Sequence, residues 1–228
     1  MLFLLLGFGF TGYLLPWDTT SYFATLIGTE VPRSIPVVGD LAVGLLKGGE
    51  EIGRETLARM YTIHTIILPF VTLAFVGLHL LINQFLGPSV PIGVREAYPR
   101  LRFFPNFLYR DLVTWILGFV VIIILATLLP RGLEERANPF ASAPSGIKPE
   151  WYFLPLFQTL RMIPASVLSV SGDFIVNLAV LVGSGLWFLV PFLDRKALRD
   201  EKNRIMTFIG VLILAYYIGT IVIAYLTT

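Results

Sequence analysis

The chain has 228 residues, of which 56% are hydrophobic and only 14% are charged, with a net charge of +2. About 25% of the residues are charged in a typical soluble domain, so the composition favours a membrane protein, and the small net charge gives no reason to expect a nucleic-acid partner. The sequence contains no cysteine, which excludes disulfides, thiolate metal sites and cysteine catalysis.

The first apolar stretch, residues 1–15, runs directly into the sequence GYLLPW. It lacks the basic start and the small-residue cleavage site of a signal peptide, so we interpret it as a spanning helix that is truncated at Met1. The loop that follows, residues 16–60, has the pattern of amphipathic surface helices that are broken by prolines and a glycine.

Four further apolar stretches each have close to the ~20 residues that a bilayer-spanning helix needs. The sequence therefore predicts an all-α integral membrane protein, a transmembrane helical bundle of about five spanning helices with short surface helices in two long loops. The four stretches are roughly 61–86, 112–129, 174–193 and 205–226.

The basic residues are distributed unevenly between the loops. Loops 87–111 and 194–204 together hold nine of the 17 lysines and arginines in 36 residues, whereas loops 16–60 and 130–173 hold the other eight in 89 residues. Because basic loops stay on the cytoplasmic side, the two long loops are predicted to share the opposite, positive side of the membrane. Loops of that length are usually functional, and on one face they could meet to form a pocket.

The sequence has two histidines, His64 and His79, and both lie on one predicted helix. A separation of fifteen residues corresponds to about 22 Å along the axis and an angular offset of about 60°. Pro69 is a candidate for a kink between them. One interpretation is two packing histidines, whereas the other is one axial ligand for each of two stacked haems, which imidazole nitrogen suits.

The haem interpretation leaves a gap in the ligand count. Two haems with two histidines each need four ligands, and the chain has two. The remaining ligands must then come from helices that are missing here or from a partner chain with two further histidines. Arg59, just before the histidine helix, is a candidate for contact with a haem propionate.

Three motifs resemble one family in their sequence and order. GYLLPW at 12–17, the helix that carries His64 and His79, and KPEWYFLP at 148–155 are similar to cytochrome b of the cytochrome bc and bf complexes. The resemblance covers the chain from the family's third helix onward. It implies a partial dihaem four-helix bundle in residues 1–86 and a C-terminal three-helix domain in residues 87–228.

The resemblance implies a haem-carrying quinol-oxidising subunit, with the activity of a quinol–cytochrome c or plastocyanin oxidoreductase within its complex. Its cofactors would be two b-type haems, its substrate a quinol, and its partners a Rieske iron–sulfur protein and a c-type cytochrome in a dimeric complex surrounded by membrane lipid. The implied location is the bacterial plasma membrane, with loops 16–60 and 130–173 on the positive side.

The resemblance also implies roles for particular side chains. Glu150 would accept a quinol proton, Tyr152 would hydrogen-bond or gate, and His64 and His79 would bind haem iron. The implied quinol-binding residues are Trp17, Tyr22, Phe23, Ile27, Pro149, Glu150, Trp151 and Tyr152. Asp18 and Phe23, both near the implied pocket, depart from the residues that many members have at these positions.

Other interpretations stay open at this stage. Glu150 could be an interfacial acid that is solvated or paired with Lys148 or Arg161, because tryptophan and tyrosine are common at membrane interfaces anyway. The protein could be a dihaem b-type membrane anchor of another quinone-linked oxidoreductase. It could also be a transporter or structural membrane protein without a cofactor.

Overall fold

The computed structural model describes residues 1–87, 101–130, 132–196 and 201–227. The chain divides into two compact units, of which one comprises Met1–Pro88 and Glu135–Thr228 and the other comprises Ser89–Glu134. The predicted division between residues 86 and 87 stays a prediction. Four of the basic residues that were used to predict the orientation of the loops in the membrane lie outside the described residues, namely Arg95, Arg100, Arg131 and Arg199.

The larger unit contains eight of the described α-helices and one small hairpin. The helices are α1 (Leu2–Tyr13), α2 (Thr19–Glu30), α3 (Gly39–Lys47), α4 (Arg54–Thr62), α5 (Leu68–Leu86), α7 (Leu154–Met162), α8 (Gly172–Leu193) and α9 (Arg204–Leu226). A 3₁₀ turn, Val31–Ser34, follows α2, and a π turn, Ile63–Ile67, joins α4 to α5. The smaller unit contains α6 (Leu108–Leu128), preceded by a π turn at Phe103–Phe107.

Four helical segments of the described chain are long and apolar enough to cross a membrane. They are Arg54–Leu86, Phe103–Leu128, Gly172–Leu193 and Arg204–Leu226, and they confirm the four long spans predicted from the sequence. Large apolar side chains are exposed along them, which is expected where lipid is the solvent. α1, with 12 residues, is a shorter apolar helix.

The start of α2 is fixed by a reciprocal cap. The Asp18 carboxylate accepts a hydrogen bond from the Ser21 N–H at 2.9 Å, and the Ser21 hydroxyl accepts one from the Asp18 N–H at 3.1 Å. Beside this cap, the Ala137 N–H donates to the Trp17 carbonyl at 3.0 Å and Asp18 forms an antiparallel bridge with Arg136. Asp18 therefore both begins α2 and joins it to the second long loop.

The first long loop is also held to α8 at the 3₁₀ turn. The side-chain amide of Asn177 on α8, which is only 5% exposed, donates hydrogen bonds of 2.7 Å to the Val31 carbonyl and to the Ser34 hydroxyl. A buried amide that bonds two groups on a neighbouring segment fixes that segment strongly, because breaking such bonds leaves buried polar atoms without partners. The predicted meeting of the two long loops is observed at the Trp17–Ala137 hydrogen bond and the Asp18–Arg136 bridge.

A small hairpin before α8 was not predicted. Its strands, β1 (Ser166–Val167) and β2 (Val170–Ser171), pair in antiparallel register. The turn residues Leu168 and Ser169 both have positive φ, 49° and 69°. A turn of this kind normally carries Asn-Gly or Asp-Gly, and Leu168-Ser169 is not a recognisable turn signal.

Three charged side chains join α2, the 3₁₀ turn and α3. Glu30 forms a salt bridge with Arg33 at 2.6 Å and another with Lys47, whose side chain is only 4% exposed. The hydrogen bond from Lys47 is the main reason that the pKa of Glu30 lies below its ordinary value of 4.5, and the charges of Lys47 and Arg33 lower it further. Glu30 therefore remains ionised and neutralises a buried ammonium group.

The stability provided by Glu30 should depend on pH. Because the pKa is lowered by folding, this stabilisation is present above the unfolded pKa of about 4.5 and is lost as pH falls through the lower folded value. We expect Glu30→Gln to lower the free energy of unfolding by about 1 kcal/mol at neutral pH, since Glu30 is partly exposed.

Thermal unfolding of the detergent-solubilised protein at several pH values measures this difference. The difference from wild type should shrink below about pH 4. The exposed Glu50, changed to Gln, is the matched control and should leave the unfolding temperature close to that of wild type at every pH. A Glu30→Gln deficit that is independent of pH would contradict the assignment.

Candidate functional site

A cavity of about 320 Å³ lies between α1, α2, α7 and the segment that precedes α7. Its volume and its mostly apolar lining are typical of a site for a small organic ligand. The lining residues are Leu6, Gly7, Phe10, Tyr13, Ala24, Thr25, Ile27, Gly28, Val31, Ile147, Pro149, Glu150, Tyr152, Phe153, Leu156, Phe157 and Leu160. Glu150 is the one carboxylate among them, so the cavity combines an apolar wall with a single acid.

The backbone around Glu150 is held to α9 on both sides. The Lys148 ammonium donates a hydrogen bond of 2.6 Å to the Ala224 carbonyl and lies 4.9 Å from the centre of the Tyr225 ring. On the other side, the Tyr217 hydroxyl donates to the Tyr152 carbonyl at 3.0 Å. These contacts fix the position from which the Glu150 side chain extends.

Glu150 also begins the turn that leads into α7. Its carbonyl accepts hydrogen bonds from the N–H groups of Phe153 at 2.9 Å and Leu154 at 3.1 Å. Pro149 restricts the backbone before it, and Pro155 occupies the first turn of α7, where proline is tolerated. The local sequence therefore specifies a rigid turn with a half-buried carboxylate at its start.

α1 packs closely against the histidine helix. The Thr11 hydroxyl lies 3.1 Å from His64 Nδ1, and the Phe8 ring contacts the imidazole edge-on at a centroid distance of 5.3 Å. A Cβ atom at Gly12 would lie 2.6 Å from His64 Cε1. The absence of a side chain at Gly12 is therefore what allows the imidazole to lie against α1.

The same helix also packs against the segment that carries Glu150. A Cβ atom at Gly9 would lie 2.8 Å from the Tyr152 ring. Gly9 and Gly12 are three residues apart, which is nearly one helical turn. α1 thus contacts Tyr152 and His64 within one turn, and Gly7 on the same helix lines the cavity.

His64 lies within the π turn rather than in regular α-helix. The Leu68 N–H bonds the Ile63 carbonyl, five residues earlier. Pro69 has no N–H to donate to the carbonyl four residues before it, and the π turn takes up the resulting disruption. One π turn accommodates one extra residue, so the offset between His64 and His79 should change by about 100°, from about 60° in a regular helix to roughly 40° on the opposite side.

The second histidine and the nearby arginine have different surroundings. His79 is exposed, and no atom lies within 4 Å of a Cβ placed on Gly77, so there is open space beside the helix at this level. Arg59 donates a hydrogen bond of 2.8 Å to the Leu45 carbonyl at the end of α3. Its predicted contact with a propionate stays a prediction.

The structure brings half of the predicted quinol-binding residues to the cavity. Ile27, Pro149, Glu150 and Tyr152 line it. Trp17, Tyr22 and Phe23 belong instead to an adjacent hydrophobic cluster with Ile52 and Ala137, and Trp151 is 57% exposed. Their predicted roles are untested by these positions.

Tyr22 is the one titratable side chain in that adjacent cluster. Burial raises the pKa of the Tyr22 phenol, and the negative charge of Glu51 raises it further. Its hydroxyl is therefore protonated throughout the physiological pH range. Edge-to-face contacts with Trp17 at 5.7 Å and Phe23 at 5.2 Å hold the ring in the cluster.

Sequence reasoning missed the walls that α1 and α7 provide. From α1 these are Leu6, Phe10 and Tyr13, and from α7 they are Leu156, Phe157 and Leu160. The repeated glycines of α1, at positions 7, 9 and 12, were the available signal, because glycine within a helix often marks a close approach of neighbouring groups. For α7 no comparable signal exists, since its apolar residues look like ordinary packing positions.

The fold and site define a helical membrane protein that holds an apolar ligand cavity beside a histidine-bearing helix. The family model described as cytochrome b(N-terminal)/b6/petB matches residues 1–140, and the one described as cytochrome b(C-terminal)/b6/petD matches residues 136–228. The chain belongs to the cytochrome b family, as the sequence motifs predicted.

Individual relatives agree with this assignment. The chain is 43% identical over 221 residues to the cytochrome bc complex cytochrome b subunit of Chlorobaculum thiosulfatiphilum. This alignment covers 95% of the chain and 50% of the relative. It is 34% identical over 202 residues to cytochrome b of Epidermophyton floccosum, covering 86% of the chain and 48% of the relative. The chain therefore spans about half the length of the curated relatives it matches.

A solved structure supports the fold as well. The structure titled hyperthermophilic respiratory Complex III superposes with a TM-score of 0.77 and 27% identity, over 98% of the chain and 60% of that chain. Together with the four apolar helices, this similarity identifies an integral membrane protein with a helical bundle. Membership of the cytochrome b family implies b-type haem.

The contact between α1 and His64 can be tested by filling the space at Gly12. We expect Gly12→Ala to lower the free energy of unfolding by about 1–3 kcal/mol, because the new methyl group must displace the imidazole or the helix. Gly7→Ala is the matched control on the same helix, since its Cβ would lie 3.5 Å from Leu68, an ordinary contact. Thermal unfolding in detergent compares the two, and equal stability of both variants would contradict the close packing.

Proposed function

We propose that the protein is a haem-carrying, quinol-oxidising subunit of a cytochrome bc- or bf-type electron-transfer complex. It would act as part of a quinol–cytochrome c or plastocyanin oxidoreductase, with a Rieske iron–sulfur protein and a c-type cytochrome as partners. The single observation that carries this proposal is the position of Glu150, which lies in an apolar cavity whose wall, α1, also packs against His64.

The cavity has the properties that quinol oxidation requires of this chain. Oxidation of a quinol to a quinone releases two protons and two electrons, so the site needs a proton acceptor at the ring hydroxyl. Glu150 is the carboxylate among the lining residues, and its anchored backbone limits its positions. A carboxylate positioned within reach of the reacting hydroxyl acts as a general base.

The other lining groups would orient the substrate. The apolar side chains of α1, α2 and α7 exclude water from a hydrophobic ring, and Tyr152 lies beside Glu150 in the lining. Tyr152 lies against the backbone of α1 at Gly9, which limits the positions of its ring. It can orient a quinol oxygen while Glu150 accepts the proton and passes it to the positive side.

The residues present fit haem. The hydrogen bond at His64 Nδ1 leaves Nε2 as the ring nitrogen for iron, and the exposed His79 has open space beside it at Gly77. When bound, haem would supply one-electron transfer, and His64 and His79 would hold it together with histidines from missing helices or from a partner chain.

The remaining parts of the proposal concern the membrane. We infer a bacterial plasma membrane, with loops 16–60 and 130–173, and therefore Glu150, on the positive side, since the basic loops favour the cytoplasm. His64 then lies near the side of quinol oxidation and His79 near the opposite side. The alternative is a dihaem b-type anchor of another quinone-linked oxidoreductase, which would not need Glu150.

Replacement of Glu150 separates these two functions. In the assembled complex we expect Glu150→Gln to reduce quinol oxidation about 10²-fold, because the amide cannot accept the proton. Glu55→Gln, an exposed acid on the other long loop, should leave turnover unchanged. Full quinol oxidation by the Glu150→Gln complex would contradict the proposed role and favour the anchor.

Optical spectra test the haem assignment independently of turnover. The reduced wild-type complex should show the sharp α band of bis-histidine b-type haem. His64→Ala and His79→Ala should each remove one of two components, whereas Thr65→Val, next to His64, should keep both. A gently purified complex without any b-type spectrum would favour a membrane protein without this cofactor and overturn the proposal.

A further inference from the structure

We propose that Thr11 is a positioning residue for His64, and that its hydroxyl accepts the hydrogen bond of the His64 Nδ1–H and lowers the redox potential of the haem bound there. This inference rests on the proposed function, since it assumes that His64 holds haem. It adds a residue of α1 that neither the family motifs nor the histidine spacing identifies.

The direction of the hydrogen bond follows from the contacts of the hydroxyl, which lie at the Gly7 carbonyl, more distantly at the Phe8 carbonyl, and at the imidazole. A threonine hydroxyl has one hydrogen to donate and two acceptor lone pairs. The Thr11 hydroxyl donates to the Gly7 carbonyl at 2.7 Å, so its short contact of 3.1 Å with His64 Nδ1 must be one in which it accepts. The proton of the neutral imidazole then lies on Nδ1, and Nε2 keeps the lone pair that a metal requires.

The surroundings make this arrangement hard to replace. Thr11 is only 5% exposed, so water has little access to take over as acceptor. The edge-on contact with Phe8 at 5.3 Å and the bare backbone at Gly12 hold the ring against α1. The ring is therefore restricted in both orientation and tautomer by one short segment, residues 8–12.

A hydrogen-bond acceptor at the second ring nitrogen, Nδ1, affects the redox potential of the bound iron as well as the orientation of the ring. It draws the Nδ1 proton away and raises the basicity of the ligating nitrogen. A more basic ligand stabilises ferric iron relative to ferrous iron, so the redox potential falls. Because Thr11 contacts His64, the effect should be confined to one of the two haems.

Potentiometric titration of the α bands in the full-length protein within its complex tests the inference. We expect Thr11→Val, which keeps the shape and removes the acceptor, to raise the potential of one b haem. The ratio of reduced to oxidised haem at a fixed potential should rise on the order of fivefold, the effect of one hydrogen bond. Thr11→Ser should keep the wild-type potential.

Two further variants keep the test decisive. Thr29→Val removes an equally buried hydroxyl that bonds only carbonyls of its own helix, and it should change neither potential. If Thr11→Val does not assemble, Thr11→Cys provides a weak acceptor of similar size, and its potential should lie between those of wild type and the valine variant.

The outcomes separate the inference from the function on which it rests. Unchanged potentials in a haem-loaded Thr11→Val or Thr11→Cys complex would overturn the inference and leave the proposed function intact. Equal shifts of both haems would overturn it too, because they would reflect a general change in packing. A wild-type complex without b-type haem would overturn the proposed function itself.

Discussion

The arrangement of the site depends on how closely α1 can approach its two neighbours. Glycines on this helix leave bare backbone where the Tyr152 ring and the His64 imidazole lie. Glycine in a helix costs about 0.5–1 kcal/mol relative to alanine, and here that cost accompanies two contacts that a larger residue would prevent. A single short helix therefore determines both the width of the cavity and the placement of the histidine.

The threonine hydroxyls of the apolar helices differ in whether they contact another helix. Helical threonines can satisfy their hydroxyls on the carbonyl four residues earlier, as Thr65, Thr114 and Thr127 do at 2.7–3.0 Å. Such a bond gives the hydroxyl a partner, but it does not join its helix to a neighbouring one. Thr11 makes the same bond and adds a contact to another helix, which is why its hydroxyl distinguishes one ring nitrogen of His64 from the other.

The sequence was sufficient to predict the helices that a lipid bilayer requires, but not the side-chain positions that depend on tertiary packing. The four long spans follow from the number of apolar residues, since a bilayer requires helices of a given length. The KPEWYFLP motif singled out Glu150, which lines the cavity. The placement of Trp17, Tyr22 and Phe23 in a separate cluster was not predictable, because α2 presents apolar residues on more than one side and only its neighbours determine which side faces the cavity.

The same limit applies to the histidine helix. Counting residues at a regular 100° each predicts one angle between His64 and His79, but the π turn before Pro69 changes it. The π turn arises because Pro69 cannot donate a backbone hydrogen bond. The sequence therefore predicts a disruption at this point, but it does not distinguish a π turn from a simple kink.

Under the proposed function, α1 contacts both the segment that carries the proton acceptor and the histidine that would bind haem. Protons and electrons leave a quinol by different routes, so their acceptors must stand at different places around one ligand. Glu150 extends from a segment that Lys148 and Tyr217 fix to α9, whereas His64 lies against α1 beside Thr11. The cavity is thus bordered by an acid on a segment that is anchored to α9 and by α1, the helix that contacts the imidazole.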